Sequence, residues 1–143
     1  MQTFSWQLWA ILSAVFAALT AIFGKIGVTG VNSNLATLLR TIVIMVFIAA
    51  LVAFRGEWQS PLTLSRRCLV FLVLSALATG VSWLCYYRAL QLGPASRVAP
   101  IDKLSVAFAI VLAVVFLHEK LSWQAAVGGV LVTAGALVLA LAP

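Results

Sequence analysis

The sequence predicts an all-α, polytopic membrane protein with five transmembrane helices, and three observations carry that prediction. The chain is 143 residues long, 64% hydrophobic and 8% charged, where soluble domains run to roughly a quarter charged. Its mean hydropathy is +1.17. Apolar runs of about 20 residues, enough to cross a bilayer, recur along it between short polar breaks. Five such runs fill the length, so residues 1–143 read as one transmembrane domain with no room for a soluble one.

The first helix is expected over about Trp6 to Gly24, with Trp6 and Trp9 as an aromatic anchor at the membrane surface. Ala10, Ala14, Ala17, Ala21 and Gly24 step at three or four residues, a stripe that a neighbouring helix can approach closely. Lys25 ends it. Gly27, Gly30, Asn32, Ser33 and Asn34 supply turn and capping chemistry. The N-terminal stretch Met1 to Trp6 has no basic n-region, which favours a retained helix over a signal peptide.

The second helix is expected over about Leu35 to Phe54, with Arg40 inside it. That arginine either snorkels to the headgroups or faces a polar cavity. Arg55 to Arg67 is the only long polar connection, and Gly56, Ser60 and Pro61 rule out a continuous helix there. A third helix follows over about Cys68 to Leu90. Ser75, Thr79, Ser82 and Tyr86 recur along it at helical spacing, beside Trp83 and Tyr87, and either bond to neighbouring helices or line a substrate path. Arg88 closes it, Gly93-Pro94 breaks the chain, and Ser96 is the expected cap of the next segment. Cys68 and Cys85 would be separated by about 25 Å of helix, too far for an intrachain disulfide.

The fourth run carries the stretch Arg97-Val-Ala-Pro-Ile-Asp-Lys and ends at Leu117. Charges in hydrocarbon cost roughly 2.5–3.5 kcal/mol each at mid-membrane and tend to be paired, inward-facing and functional. Asp102 is the only acid well inside an apolar segment, with Lys103 beside it. If Pro100 is the first residue of a helix, Asp102 falls in the first turn and favours its positive end. The other reading is a substrate or proton site, and the two are compatible. His118-Glu119-Lys120 forms a polar turn, and Ser122 caps a last helix over about Trp123 to Leu141. There Ala125, Gly129 and Thr133, with Gly128, form a close-packing seam, for internal packing or for a dimer.

The composition also excludes functions. A formal charge of +6 without a reading motif is no nucleic-acid signature. One histidine and two distant cysteines supply no metal site. Gly24-Lys25 lacks the flanking glycine and hydroxyl of a phosphate loop, because positions 19 and 26 are Leu and Ile. No Ser/His/Asp arrangement is indicated either, so neither enzyme chemistry nor a cofactor is expected.

Five helices put the termini on opposite faces. Arg55, Arg66, Arg67 and Lys120 lie on one side and Lys25, Arg88 and Arg97 on the other, with Arg40 and Lys103 just inside the membrane on that second side. The tally, four against three or four against five, gives almost no positive-inside bias. The chain either inserts both ways or is fixed N-terminus inside by Arg66-Arg67.

Several stretches, in order, resemble one EamA-type repeat of the drug/metabolite transporter superfamily, over essentially the whole chain. They are Phe23-Gly24-Lys25, Tyr86-Tyr87-Arg88-Ala89-Leu90, Ala95 to Pro100, Phe116 to Leu121, and the Gly-rich last helix. Most members of that family join two such repeats, inverted, in a ten-helix chain. The resemblance therefore implies that this chain is one half of a ten-helix inverted-repeat transporter, working as a homodimer, antiparallel by analogy with the inverted repeats. It departs from the family at His118, where glycine is common before the glutamate, and at Asp102-Lys103, which charge a helix usually apolar there.

The function expected is a secondary transporter, an exporter of small metabolites or drugs by alternating access, in the lipid bilayer of the inner (plasma) membrane. Asp102, Lys103, Arg40, Lys25, Arg88, Trp83 and Tyr86 are its candidate substrate or proton-site residues. If several of the basic side chains turn inward, they favour anionic or phosphate-bearing solutes. The competing reading is a flippase for a lipid-linked substrate or an accessory membrane subunit, since small four-helix relatives in the superfamily include lipid-carrier flippases.

Overall fold

The structure is a computed structural model that describes residues 6–141. The N-terminal stretch read above as lacking a basic n-region and the C-terminal Pro143 lie outside the described residues, apart from Trp6. Six α-helices and one 3₁₀ turn follow in order: α1 Trp6–Gly27, α2 Ser33–Phe54, the turn Pro61–Thr63, α3 Arg66–Leu92, α4 Ala95–Asp102, α5 Ser105–Leu117 and α6 Trp123–Leu141. They make five spans long and apolar enough to cross a membrane, because α4 and α5 together form one, Ala95–Leu117.

Helices are the answer to a solvent without hydrogen bonds, since each backbone N–H and C=O is satisfied within its own segment. Hydroxyls obey the same rule. Thr20, Thr37, Thr41, Thr79 and Thr133 each donate to the carbonyl four residues back, at 2.7–2.9 Å. Thr79 thus donates to the carbonyl of Ser75 in its own helix.

The helix ends follow local chemistry. The Asn32 side chain accepts from the Asn34 and Leu35 N–H groups and starts α2. At its other end Gly56 takes φ +65°, with Gly56 N–H bonded to Ala53 O and Glu57 N–H to Val52 O, a Schellman closure. Ser60 caps the 3₁₀ turn, Ser65 Oγ accepts from Cys68 N–H near the start of α3, and Ser122 Oγ accepts from Ala125 N–H at the start of α6.

Three expectations are corrected. Lys25 does not end α1, which continues through Gly27. Ser96 is not a cap, because α4 begins at Ala95 after Pro94, with no side-chain capping bond. Pro100 does not open a helix but lies within α4, so Asp102 is that helix's last residue and not in a first turn. A proline there removes the bond to the carbonyl of Ser96 and crowds it. The chain answers by tightening to i→i+3 bonds just beyond: Lys103 N–H to Pro100 O, Leu104 N–H to Ile101 O and Val106 N–H to Lys103 O, all at 3.0 Å. The fourth span is therefore discontinuous at Lys103-Leu104.

The described chain forms two compact units. One holds α1 with α4, α5 and α6, and in it α6 packs along both α4 and α5. The other, Gly27–Gln91, holds α2 and α3. Cys68 and Cys85 are both free thiols.

Candidate functional site

The α2–α3 unit brings together the residues with the most distinctive chemistry. Ser33, Thr37 and Arg40 fall at i, i+4 and i+7 on α2 and share one face, and the first two are buried. On α3, Trp83 and Tyr87 are four residues apart and also share a face. The two helices are tied where α2 begins and α3 ends, because Gln91 Nε2 donates to Val31 O at 2.7 Å. Arg88 Nη1 donates to Gln91 Oε1 at 2.7 Å and holds that amide.

Within this frame the Arg40 guanidinium turns to α3. Its carbon lies 4.1 Å from the Trp83 ring centroid and 4.9 Å from that of Tyr87. Each ring attracts the cation through its quadrupole, by about 0.5–2 kcal/mol. Tyr86 braces Tyr87 edge-on, with centroids 6.3 Å apart at 62°. Ring faces are poor acceptors for the N–H groups, and Arg40 Nη1 is buried without a hydrogen-bond partner among the described residues. Leaving such a donor unmet costs about 1–3 kcal/mol, and more on a charged group.

The other candidate positions are built differently. Lys25 Nζ donates to Gly93 O at 2.8 Å, within its own compact unit. Asp102 and Lys103 pair at 3.3 Å beside the break in the fourth span, and both side chains are partly open. The seam divides. Ala125 lines an open, mainly apolar groove of about 430 Å³ between α5 and α6. A Cβ on Gly129 would stand 3.0 Å from Ile110 Cδ1, so this glycine is where α6 meets α5. Thr133 bonds to Gly129 O, and a Cβ on Gly128 would meet nothing within 4 Å.

Sequence reasoning named Arg40, Trp83 and Tyr86 as candidates but left Tyr87 out. The signal was its spacing, four residues after Trp83, which gives α3 a two-ring face.

Comparison with known proteins agrees with this membrane architecture. Residues 4–141 match the EamA-like transporter family. An uncharacterized transporter of Sinorhizobium sp., described as lying in the cobO 3' region, is 56% identical over 136 residues, covering 95% of this chain and 96% of that one. An uncharacterized protein of Methanocaldococcus jannaschii is 27% identical over 85 residues, 59% of this chain and 62% of the relative. No solved structure matches.

Proposed function

Because the chain belongs to the EamA-like transporter family, we propose that it exports small metabolites or drugs as a secondary transporter, by alternating access. The working unit is a homodimer of oppositely oriented copies in a bacterial inner membrane. The observation that carries the substrate-handling part is Arg40, a charge inside an apolar span, lodged against Trp83 and Tyr87 with a buried donor unmet. A bundle with only a structural task gains nothing by keeping such a group, whereas intramembrane ionisable residues mark solute and ion pathways.

The antiparallel pairing is supported by arithmetic and charge. An odd number of spans puts the two ends of the chain on opposite faces, so a second copy inserted the other way supplies the inverted repeat. The basic residues are nearly balanced between the two faces, which supports insertion both ways. Helical spans, unlike barrels, belong in the inner membrane.

Asp102 is assigned proton coupling. It is an acid partly open at a discontinuous helix, with Lys103 Nζ 3.3 Å away, and broken helices are where transporters place ion sites. The test is reconstitution in proteoliposomes under an imposed pH gradient, with an entrapped pH dye and a panel of amino acids, organic acids and amphiphilic drugs. Export coupled to protons predicts that at least one solute collapses the gradient and that Asp102→Asn abolishes the effect. Solute movement that is unchanged in Asp102→Asn removes that residue from the coupling role, and no movement of any solute sinks the transporter reading.

A further inference from the structure

We propose that Arg40 is the anion-recognition residue of this protein: its guanidinium, held by Trp83 and Tyr87, takes a ligand carboxylate or phosphate. This rests on the transporter reading for its physiological meaning, but the binding chemistry stands on the geometry alone.

The argument begins with charge balance. The chain has three acidic residues. Glu57 pairs with Arg55 and Asp102 with Lys103, while Glu119 sits at the polar end of the α5–α6 groove, in the other compact unit. Arg40 therefore has no counter-charge within its own unit, where Glu57 is already paired. Lys25, Arg88 and Lys103 each hold an oxygen acceptor, whereas Arg40 Nη1 has none among the described residues.

What the unit supplies instead is π density. Two rings at 4.1 and 4.9 Å steady the cation without using its N–H hydrogens. The arginine is thus pre-positioned, and its Nη1 donor remains to be satisfied. A guanidinium presents its donors as a planar fork that matches the paired oxygens of carboxylate or phosphate. Cationic and neutral apolar solutes have no oxygen pair to offer. The anion that fits has two sources, a small solute such as an organic acid or phosphate ester, and the phosphate of a lipid headgroup.

Binding to the full-length protein in maltoside micelles separates them. The probes are radiolabelled benzoate, radiolabelled inorganic phosphate and a labelled short-chain phosphatidylglycerol, with labelled choline as the cationic control. The proposal expects saturable binding of benzoate or phosphate, weakened roughly tenfold or more in Arg40→Gln, as loss of a charged hydrogen bond requires. Arg40→Lys keeps the charge but not the fork and falls between. Tyr87→Leu leaves Arg40 in place with one ring fewer and weakens binding to a smaller degree, which keeps the test open should Arg40→Gln fail to fold. Binding of phosphatidylglycerol alone, lost in Arg40→Gln, assigns the same site to a headgroup. No anion binding, binding indifferent to Arg40, or choline bound as well as the anions overturns the proposal. Because no flux is needed, the two readings fail separately. Anion binding without transport sinks only the transporter reading, and transport without an Arg40-dependent anion site sinks only this one.

Discussion

His118 carries a backbone conformation that few side chains accept, φ +54° and ψ +32°, at the end of α5. Its own N–H and that of Glu119 both reach back to Ala113 O, so the left-handed turn is what closes the helix. The same turn at the end of α2 is made by Gly56 without steric cost. A glycine would make the α5 turn without that cost, and histidine carries it as strain. His118→Gly should raise the stability of the protein by about 0.5–1 kcal/mol, after the entropy lost by glycine is offset. Thermal melting in detergent checks this, and a lower melting temperature would mean that the imidazole makes a contact worth more than the strain. At Arg40 the terms oppose one another. Arg40→Gln forfeits about 0.5–2 kcal/mol of attraction to each of the two rings but relieves a buried donor worth about 1–3 kcal/mol. The two effects nearly cancel, so melting without added anion should be little changed in the variant. A clear fall would show that the guanidinium serves packing.

The elements carry two further tests. Pro100 costs α4 a backbone bond and places the break of the fourth span beside Asp102-Lys103. Pro100→Ala should restore the bond to Ser96 O, stabilise the span by up to about 3 kcal/mol, and lower transport if the break is used. Higher melting with full transport would make the break incidental. The α6 seam offers a cleaner contrast. Gly129 already faces Ile110 Cδ1 at 3.0 Å, so a side chain there disturbs α5, whereas Gly128 faces open space within the chain. Gly128→Leu should leave the melting of the single chain intact. If the α6 face that carries Gly128 is where two copies meet, it should also lower the dimer fraction measured by energy transfer between labelled copies. An unchanged dimer fraction moves the interface elsewhere.

For the whole molecule, the decisive property is orientation. The proposed antiparallel pair requires both orientations in one membrane, so a probe appended after Pro143 should be labelled from either face of the membrane in intact and opened cells. Labelling from one face alone excludes that pair. The apolar residues along the five spans are largely exposed, Phe54 at the end of α2 to 91%. Lipid covers such surface at no hydrophobic cost, so exposure by itself does not call for a partner.

The sequence alone determined the five spans, because hydrocarbon demands long apolar segments with every backbone group paired inside them. It determined most of the breaks as well. Asn32, Gly56, Ser60 and Ser122 act through neighbours a few residues away, which is why their roles were legible. Other features needed the tertiary structure. The apolar residues run all round these helices, so no hydrophobic face announces which side meets which neighbour. Only the folded chain could bring Arg40 to Trp83 and Tyr87, and only it could give Gly129 to an internal contact while leaving Gly128 open. The placing of Pro100 inside α4 was likewise a structural outcome, since proline is accepted both at a helix start and at a kink. Local chemistry sets where helices begin and end. Which faces meet is a property of the packed chain.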